Sequence, residues 1–419
     1  MFYIAIVIFL VVYALIVSER VHRTSVALVG AVLMVILGVL HQEHAFSAID
    51  FNTIGLLLGM MIIVLITKQT GLFEYVAIKA AKVSKGDPVK ILITLSLITA
   101  LFSALLDNVT TVLLIVPVTF VIANNLKINP IPFLIAEIVL SNIGGAATLI
   151  GDPPNILIGS AAGLTFLDFL INLAPISMIL SVVMVIFFRF IYRHKLKTTK
   201  KLQENIMKFD ARSTIKDVPL LKKSLFVLGV TIFGFLIHGF VGLEPATIAL
   251  FGASLLLIIS KINPEKILEQ VEWTTILFFI GLFILVAGIE EVGAIEYLAN
   301  SVLDLTAGSP VAATLVILWG SAIFSAVVDN IPFVATMIPL VQELGASGMD
   351  VTNLWWALAL GADLGGNGTL VGASANLVAA GLAEKAGYKL GFKEFLKIGM
   401  VSMFITMLIT TVYVFIRYI

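Results

Sequence analysis

Two Asp-Asn pairs sit inside apolar runs of this sequence. Asp107-Asn108 lies in SALLDNVTTVLLIVP, residues 103–117, and Asp329-Asn330 lies in SAVVDNIPFVATMIP, residues 325–339, 222 positions later. Both residue types are poor helix formers, and an ionised carboxylate at the centre of a membrane span costs on the order of 3 kcal/mol on the insertion scale. Such groups can take a proton or a cation, offer amide donors and acceptors to a solute, or cap the helix that starts after a bend. Capping alone needs no charge, since Ser or Thr would serve, so the pairs read as binding groups that also cap.

Two further clusters flank these pairs, GGAATLIGDPPNILIG at 144–159 and LGGNGTLVGASANLVAAG at 364–381. Gly144, Gly145 and Gly151 in the first, with Gly365, Gly366 and Gly372 in the second, break a helix and free backbone groups for coordination. Gly30 and Gly252 read instead as close-packing residues between helices. The polar inventory is Asp107, Asn108, Thr110, Thr111, Asn142, Thr148, Asp152 and Asn155 from the first half of the chain. The second half supplies Asp329, Asn330, Asp363, Asn367, Thr369, Ser374 and Asn376. No basic residue is among them. Asp152 precedes two prolines at a helix start and so has a plain capping reading beside the functional one. Glu137 has no counterpart in the second half and either lines a cavity or pairs with a basic side chain.

The elements that must position these residues are membrane spans. With 60% hydrophobic and 12% charged residues among 419, the chain has no polar skin and belongs in a bilayer. Zero cysteines exclude disulfides and thiolate metal sites. The first apolar run, with no basic n-region before it, reads as a retained span. Apolar runs at about 2–18, 24–40 and 52–69 suit the roughly 30 Å of hydrocarbon. Residues 71–86 suit a short amphipathic helix lying in the interface. The 35 residues from Lys90 to Asn124 would make one helix of roughly 50 Å, so they must bend back, and Asp107-Asn108 is the natural bend. A broken helix is expected over 131–162 and a further span over about 166–190. Trp355 and Trp356 read as interfacial anchors.

The second half repeats the first. VALVGA at 26 matches IALFGA at 248, FNTI at 51 matches WTTI at 273, GLFEYVA at 71 matches GAIEYLA at 293, and GGAATLIG at 144 matches GGNGTLVG at 365, all 221 or 222 residues apart. Matched blocks in one order indicate duplication. The expected fold is therefore an all-α integral membrane protein of two inverted repeats, each of about five spans with a re-entrant helical hairpin and a broken helix. The first repeat is 1–192, with its hairpin at 90–124 and broken helix at 131–162. A basic linker, 193–223, follows. The second repeat is 224–419, with its hairpin at 309–341 and broken helix at 353–383. An odd number of crossings per half inverts the second copy, which places 25 of the 26 basic residues on one face, all but Arg417. That face is then cytoplasmic and both termini lie outside a plasma membrane.

SALLDNVTTVLLIVPVT with GGAATLIGDPPNILIG, and VDNIPFVATMIP with LGGNGTLVGASANLVAAGLAEKAGY, resemble the P-protein and arsenite-permease branch of the ion transporter superfamily over essentially the whole chain. The resemblance implies two re-entrant hairpins, a homodimer joined through a scaffold domain, and elevator-like displacement of the hairpin and broken-helix domain. Carboxylate-transporting relatives carry Ser-Asn-Thr at the hairpin tips. Here the tips read Asp107-Asn108-Val109-Thr110 and Asp329-Asn330-Ile331-Pro332, a departure from that pattern.

An ion-coupled secondary transporter is the expected class. There is no His-based metal cluster, nucleophile motif or nucleotide-binding loop to support an enzyme, and the broken helices favour alternating access over a channel's continuous pore. The substrates that stay open are arsenite or antimonite exported with proton coupling, sodium in exchange for protons, and a carboxylate or other anion with sodium. The coupling ion is a proton or sodium, the latter possible at Asn108 and Asn330. No cofactor, resident metal or nucleic acid is expected; the partners are the small solute, its coupling ion and the lipid bilayer.

Overall fold

A computed structural model describes residues 1–18 and 20–418, with no strand among them. Nine main helices form each half. In the first half these are α1 (Phe2–Ser18), α2 (Arg23–Ile36), α3 (Phe51–Gln69), α4 (Leu72–Val83), α5 (Pro88–Leu105), α6 (Asn108–Leu126), α7 (Ile131–Gly145), α8 (Pro153–Ala162) and α9 (Ala174–Tyr192). The second half repeats them as α10 (Val218–Val241), α11 (Pro245–Ser260), α12 (Trp273–Glu291), α13 (Ala294–Thr306), α14 (Pro310–Ser325), α15 (Asn330–Ala346), α16 (Thr352–Gly365), α17 (Ser374–Lys385) and α18 (Phe392–Tyr418). Seven of the described helices are long and apolar enough to cross a membrane by themselves.

Equivalent helices pack in equivalent ways, some within a half and some across the two. Helix α3 packs on α11 and α2 on α12, α5 on α7 and α14 on α16, and α6 lies against α17 as α8 lies against α15. Hydrogen bonds repeat the pairing across the halves at equivalent positions. Thr24 Oγ1 donates to the Thr274 carbonyl at 2.7 Å, and the Ala246 amide donates to Asn52 Oδ1 at 3.1 Å. The register of both pairs is parallel. Along α2 and α12, Thr24 meets Thr274, Ala27 meets Gly281 and Met34 meets Gly288, while along α3 and α11, Gly55 meets Ala246 and Gly59 meets Ala249. Glycine is needed at these crossings because a Cβ on Gly59 would stand 2.6 Å from the Ala249 carbonyl carbon.

The hairpin arms turn where the sequence places its Asp-Asn pairs. Leu106 leaves α5 in an extended conformation, Asp107 follows extended, and α6 starts at Asn108. Asp107 caps α6 by accepting from the Thr110 amide at 2.7 Å, and Asp329 caps α15 by accepting from the Ile331 amide at 3.1 Å. The broken helices lose regular structure over 146–152 and 366–373.

Four expectations change. The span expected over 166–190 is split, because Phe166–Asn172 forms its own helix and bends 115° from α8 before α9 begins at Ala174. The basic linker ends early, at the start of α10, and it packs on the first half through Lys216 N to Thr70 O and Lys82 Nζ to Phe209 O. Trp355 and Trp356 are buried inside the protein, Trp356 edge-on to Phe169, so they are core residues and not interfacial anchors. Helix α4, expected in the interface, turns Phe73, Ala77, Ala80 and Ala81 into the protein.

Candidate functional site

The bends and breaks meet in one buried polar cluster. At its centre Asp152 accepts from Asn108 Nδ2 at 2.5 Å through one oxygen and from Asn330 Nδ2 at 3.3 Å through the other, so a single carboxylate joins both hairpin tips. Asp152 holds the N-cap position of α8 but accepts no capping bond from it, which removes the plain capping reading. Asn108 Nδ2 also reaches Asn142 Oδ1 at 3.3 Å. The Asn142 amide in turn donates to Asn367 Oδ1 at 3.0 Å and to Asn376 Oδ1 at 3.1 Å, crossing from the first half to the second. Asn108, Asn142, Asp152, Asn330, Asp363, Asn367 and Asn376 are all buried.

Other members of the inventory hold the breaks open. Asn155 Nδ2 donates to the carbonyls of Gly145 and Thr148 at 3.2 and 3.1 Å, and Asn376 Nδ2 donates to those of Gly366 and Thr369 at 2.7 and 2.8 Å. Thr148 Oγ1 donates to Ala104 O and Thr369 Oγ1 to Ala326 O, each at 2.6 Å, fastening each break to its own hairpin. These satisfy carbonyls that the missing helical turns leave free. Gly144 and Gly365 let the hairpin backbone come close, since a Cβ there would lie 2.1 Å from Ala100 O or 2.5 Å from Ala322 O. Gly145 packs on Gly151, and Gly366 on Gly372.

Several polar atoms in the cluster stay without a partner. They are Asn108 Oδ1, Thr111 Oγ1, Asn155 Oδ1, both carboxyl oxygens of Asp363 and Asn367 Nδ2. Most are oxygens, so the site can receive a proton, a cation or the donors of a hydroxylated solute. Among the described residues, no group of three or more His, Asp or Glu side chains could hold a metal ion.

Arg23 is the residue that the sequence reading missed. It starts α2, and its Nη1 donates to Asp329 Oδ2 at 3.0 Å and to Ser374 Oγ at 2.6 Å, while Ser374 Oγ donates to Asp329 Oδ2 at 2.5 Å. The guanidinium also stands 5.1 Å from the centre of the Phe278 ring. A cavity of about 370 Å³ opens beside it, lined by Arg23, Val109, Glu272, Thr275, Asp329 and Ser374. The site therefore carries one positive charge at its mouth, against the expectation of none. Thr110 lies apart from this mouth, in a neighbouring cavity with Lys68 and Glu272. Ser103 and Ser325 were also missed; each donates to a carbonyl of the broken helix behind it, Ser141 O and Ala362 O, at 2.6 Å. Their signal was their identical place four residues before each Asp-Asn pair. Glu137 pairs with no basic side chain; it accepts from Thr119 Oγ1 at 2.6 Å.

An all-helical bundle with a polar centre built from broken helices defines a multi-pass membrane transporter of the secondary class. Residues 13–361 match the family described as "Citrate transporter", and the chain belongs to that family, within the ion transporter superfamily. It is 46% identical to the "46 kDa membrane protein" of Mycobacterium leprae (strain TN), over 99% of this chain and 98% of that protein. It is 36% identical to the "P protein" of Homo sapiens over 97% of this chain, which corresponds to 59% of that longer protein. Its fold is similar to that of the Alcanivorax borkumensis YdaH transporter, with a TM-score of 0.62, 14% identity, and coverage of 87% of this chain and 85% of that one.

Proposed function

We propose that the chain is an ion-coupled secondary active transporter made of two inverted repeats that works by elevator-type alternating access. The observation that carries this reading is the parallel register of α2 with α12. Helix α12 is the counterpart of α3, and α3 is the next span after α2, reached through the short helix Gln42–Ser47, so the two cross in opposite senses. A parallel α2 and α12 pair therefore turns the second copy over. The hairpins and broken helices, α5–α8 and α14–α17, form the moving body, and α2, α3, α11 and α12 form the frame. The basic face is cytoplasmic, both termini lie outside the plasma membrane, and two copies pair through the frame.

The amide-rich centre suits a small hydroxylated solute such as arsenite or antimonite, bound through hydrogen bonds and exported at the expense of a proton gradient. A second reading, a carboxylate, is favoured by Arg23 at the cavity mouth and by the description of the family. Proteoliposomes challenged in turn with arsenite, sodium and citrate, with a pH dye inside, separate these readings. Movement of arsenite coupled to protons supports the first and movement of citrate the second. Single-channel currents, or no coupled movement of any of the three, would overturn the assignment.

A further inference from the structure

Two pairs of side chains in the buried cluster occupy equivalent places in the two halves, and one of the four differs in kind. Asn142 on α7 and Asp363 on α16 are counterparts, 221 residues apart, and so are Asn155 and Asn376. In one half the amide of Asn142 donates to Asn376 Oδ1 at 3.1 Å. In the other, Asp363 stands where Asn142 stands, so the repeat sets it opposite Asn155 as Asn142 is set opposite Asn376. Asn155 cannot turn its amide nitrogen toward it, because that nitrogen is held by the carbonyls of Gly145 and Thr148, as the nitrogen of Asn376 is held by those of Gly366 and Thr369. The repeat therefore leaves the carbonyl oxygen of Asn155 as the atom to meet the carboxyl of Asp363. Asn155 Oδ1 and both Asp363 oxygens are buried and have no donor.

We infer that Asp363 is a proton-binding site of the transport cycle: its carboxyl is neutral in this state and donates its hydrogen to Asn155 Oδ1. One proton supplies to Asn155 the donor that the amide of Asn142 supplies to Asn376. An ionised carboxyl would instead set two acceptors against each other out of reach of water. The helices packed on α16 bring only further carboxyls near its end: Asp152 stands at the start of α8 and Asp329 at the start of α15. Beside Asp363 in the chain, Ser321 and Ser325 of α14 lie against Gly361 and the Ala362 carbonyl, and Gly399 and Met403 of α18 lie against Asn367 and Gly368, so none of these brings a charge. Glu137 on α7 is turned to Thr119. The nearby basic group, Arg23, is engaged by Asp329. A proton taken from one side onto Asp363 and released to the other, when the moving body changes sides, is the ion that this site would carry.

This inference rests on the transporter reading but is tested without transport. Infrared difference spectra of the full-length protein in lipid, wild type against Asp363→Asn, report the protonated-carboxyl stretch directly. The expected result is a band at neutral pH that is lost in Asp363→Asn, retained in Asp107→Asn, and unaffected by millimolar sodium. Asp363→Asn keeps the fold, since Asn has the shape of the neutral acid and its amide can donate to Asn155 Oδ1 as Asn142 donates to Asn376. A spectrum unchanged by Asp363→Asn, or a wild-type band that sodium abolishes, overturns the assignment; the second outcome makes the idle oxygens a sodium site. A band that behaves as expected, in a protein that moves no solute, would leave the proton site standing and remove the transport reading.

Discussion

Arg23 is bound to Asp329 across the boundary between the frame and the second hairpin, Nη1 to Oδ2 at 3.0 Å, although the two residues are 306 positions apart. Arg23 belongs to a helix packed on α12, and in the proposed elevator cycle Asp329 is the bend of the moving body. In that cycle the contact would break at each turn. A substrate carboxylate could take the place of Asp329 on the same guanidinium, which would release the hairpin as the substrate binds. Arg23→Gln is expected to raise the KM for citrate tenfold or more and to leave arsenite transport within about twofold, as measured in proteoliposomes. Equal loss for both probes would make the pair a latch and not a carboxylate site.

The same pair makes a stability prediction. The Arg23 side chain is 29% exposed and that of Asp329 is 8% exposed, so the ion pair lies between the surface and the buried limit. Arg23→Ala is expected to destabilise the protein by about 1–2 kcal/mol, more than Arg23→Ala combined with Asp329→Asn, because the single change leaves a buried carboxylate without its cation. Thermal unfolding of the three variants in detergent, against wild type, completes the double-mutant cycle. Additive losses would show that the pair contributes nothing of its own.

Asn108→Ala and Asn330→Ala are each expected to reduce transport at least a hundredfold in a folded protein. Each removes a donor to Asp152 and disconnects one hairpin tip from the centre. Size-exclusion profiles and melting curves check the fold, and solute uptake checks the function. A folded variant that transports normally removes that Asn from the site.

Much of this site was legible because the chain states it twice. The Asp-Asn pairs, the double glycines and the residues of the breaks recur at one interval, and repeats expose them without any knowledge of their contacts. Three things were not legible. Arg23 sits among basic residues at the end of a span, where an arginine that reaches into the site has the same sequence signature as one that snorkels to the surface. The roles within the inventory were also hidden: Thr148, Thr369, Asn155 and Asn376 fasten backbone, while Asn108 and Asp152 face the centre, and only the hydrogen bonds separate them. The paired tryptophans misled because an aromatic at the start of a span is an anchor or a core residue according to what covers it, and here Trp356 lies against Phe169.

Topology is tested at two positions in this cysteine-free chain. Asn205 lies in the short helix Lys200–Met207 of the basic segment, and Asn300 is an exposed residue of α13. With the second copy turned over, a cysteine at 300 is expected to react with an impermeant reagent on intact cells, and one at 205 only after lysis. Equal labelling of the two in intact cells would reject the inverted arrangement.

The last prediction concerns the coupling ion. Asp107, Asp152, Asp329 and Asp363 are drawn together at the bends and breaks, and Arg23 balances Asp329 alone among them. Asp152 is held by two neutral amides, and the oxygens of Asp363 by nothing. Asp152, Asp329 and Asp363 are buried and Asp107 half-buried, and carboxyls gathered away from water resist being charged together, which suits groups that load and release protons as the site changes sides. Transport of the arsenite or citrate probe is therefore expected under a proton gradient alone, in sodium-free buffer, and Asp152→Asn is expected to cut it at least tenfold while leaving some downhill exchange. Asn108 Oδ1 gives the competing account its footing, since an idle amide oxygen at a bend is also a ligand for sodium. No movement of either probe in sodium-free buffer, with rescue by sodium at clamped pH and potential, would reject proton coupling and turn Asn108 and Asn330 into cation ligands.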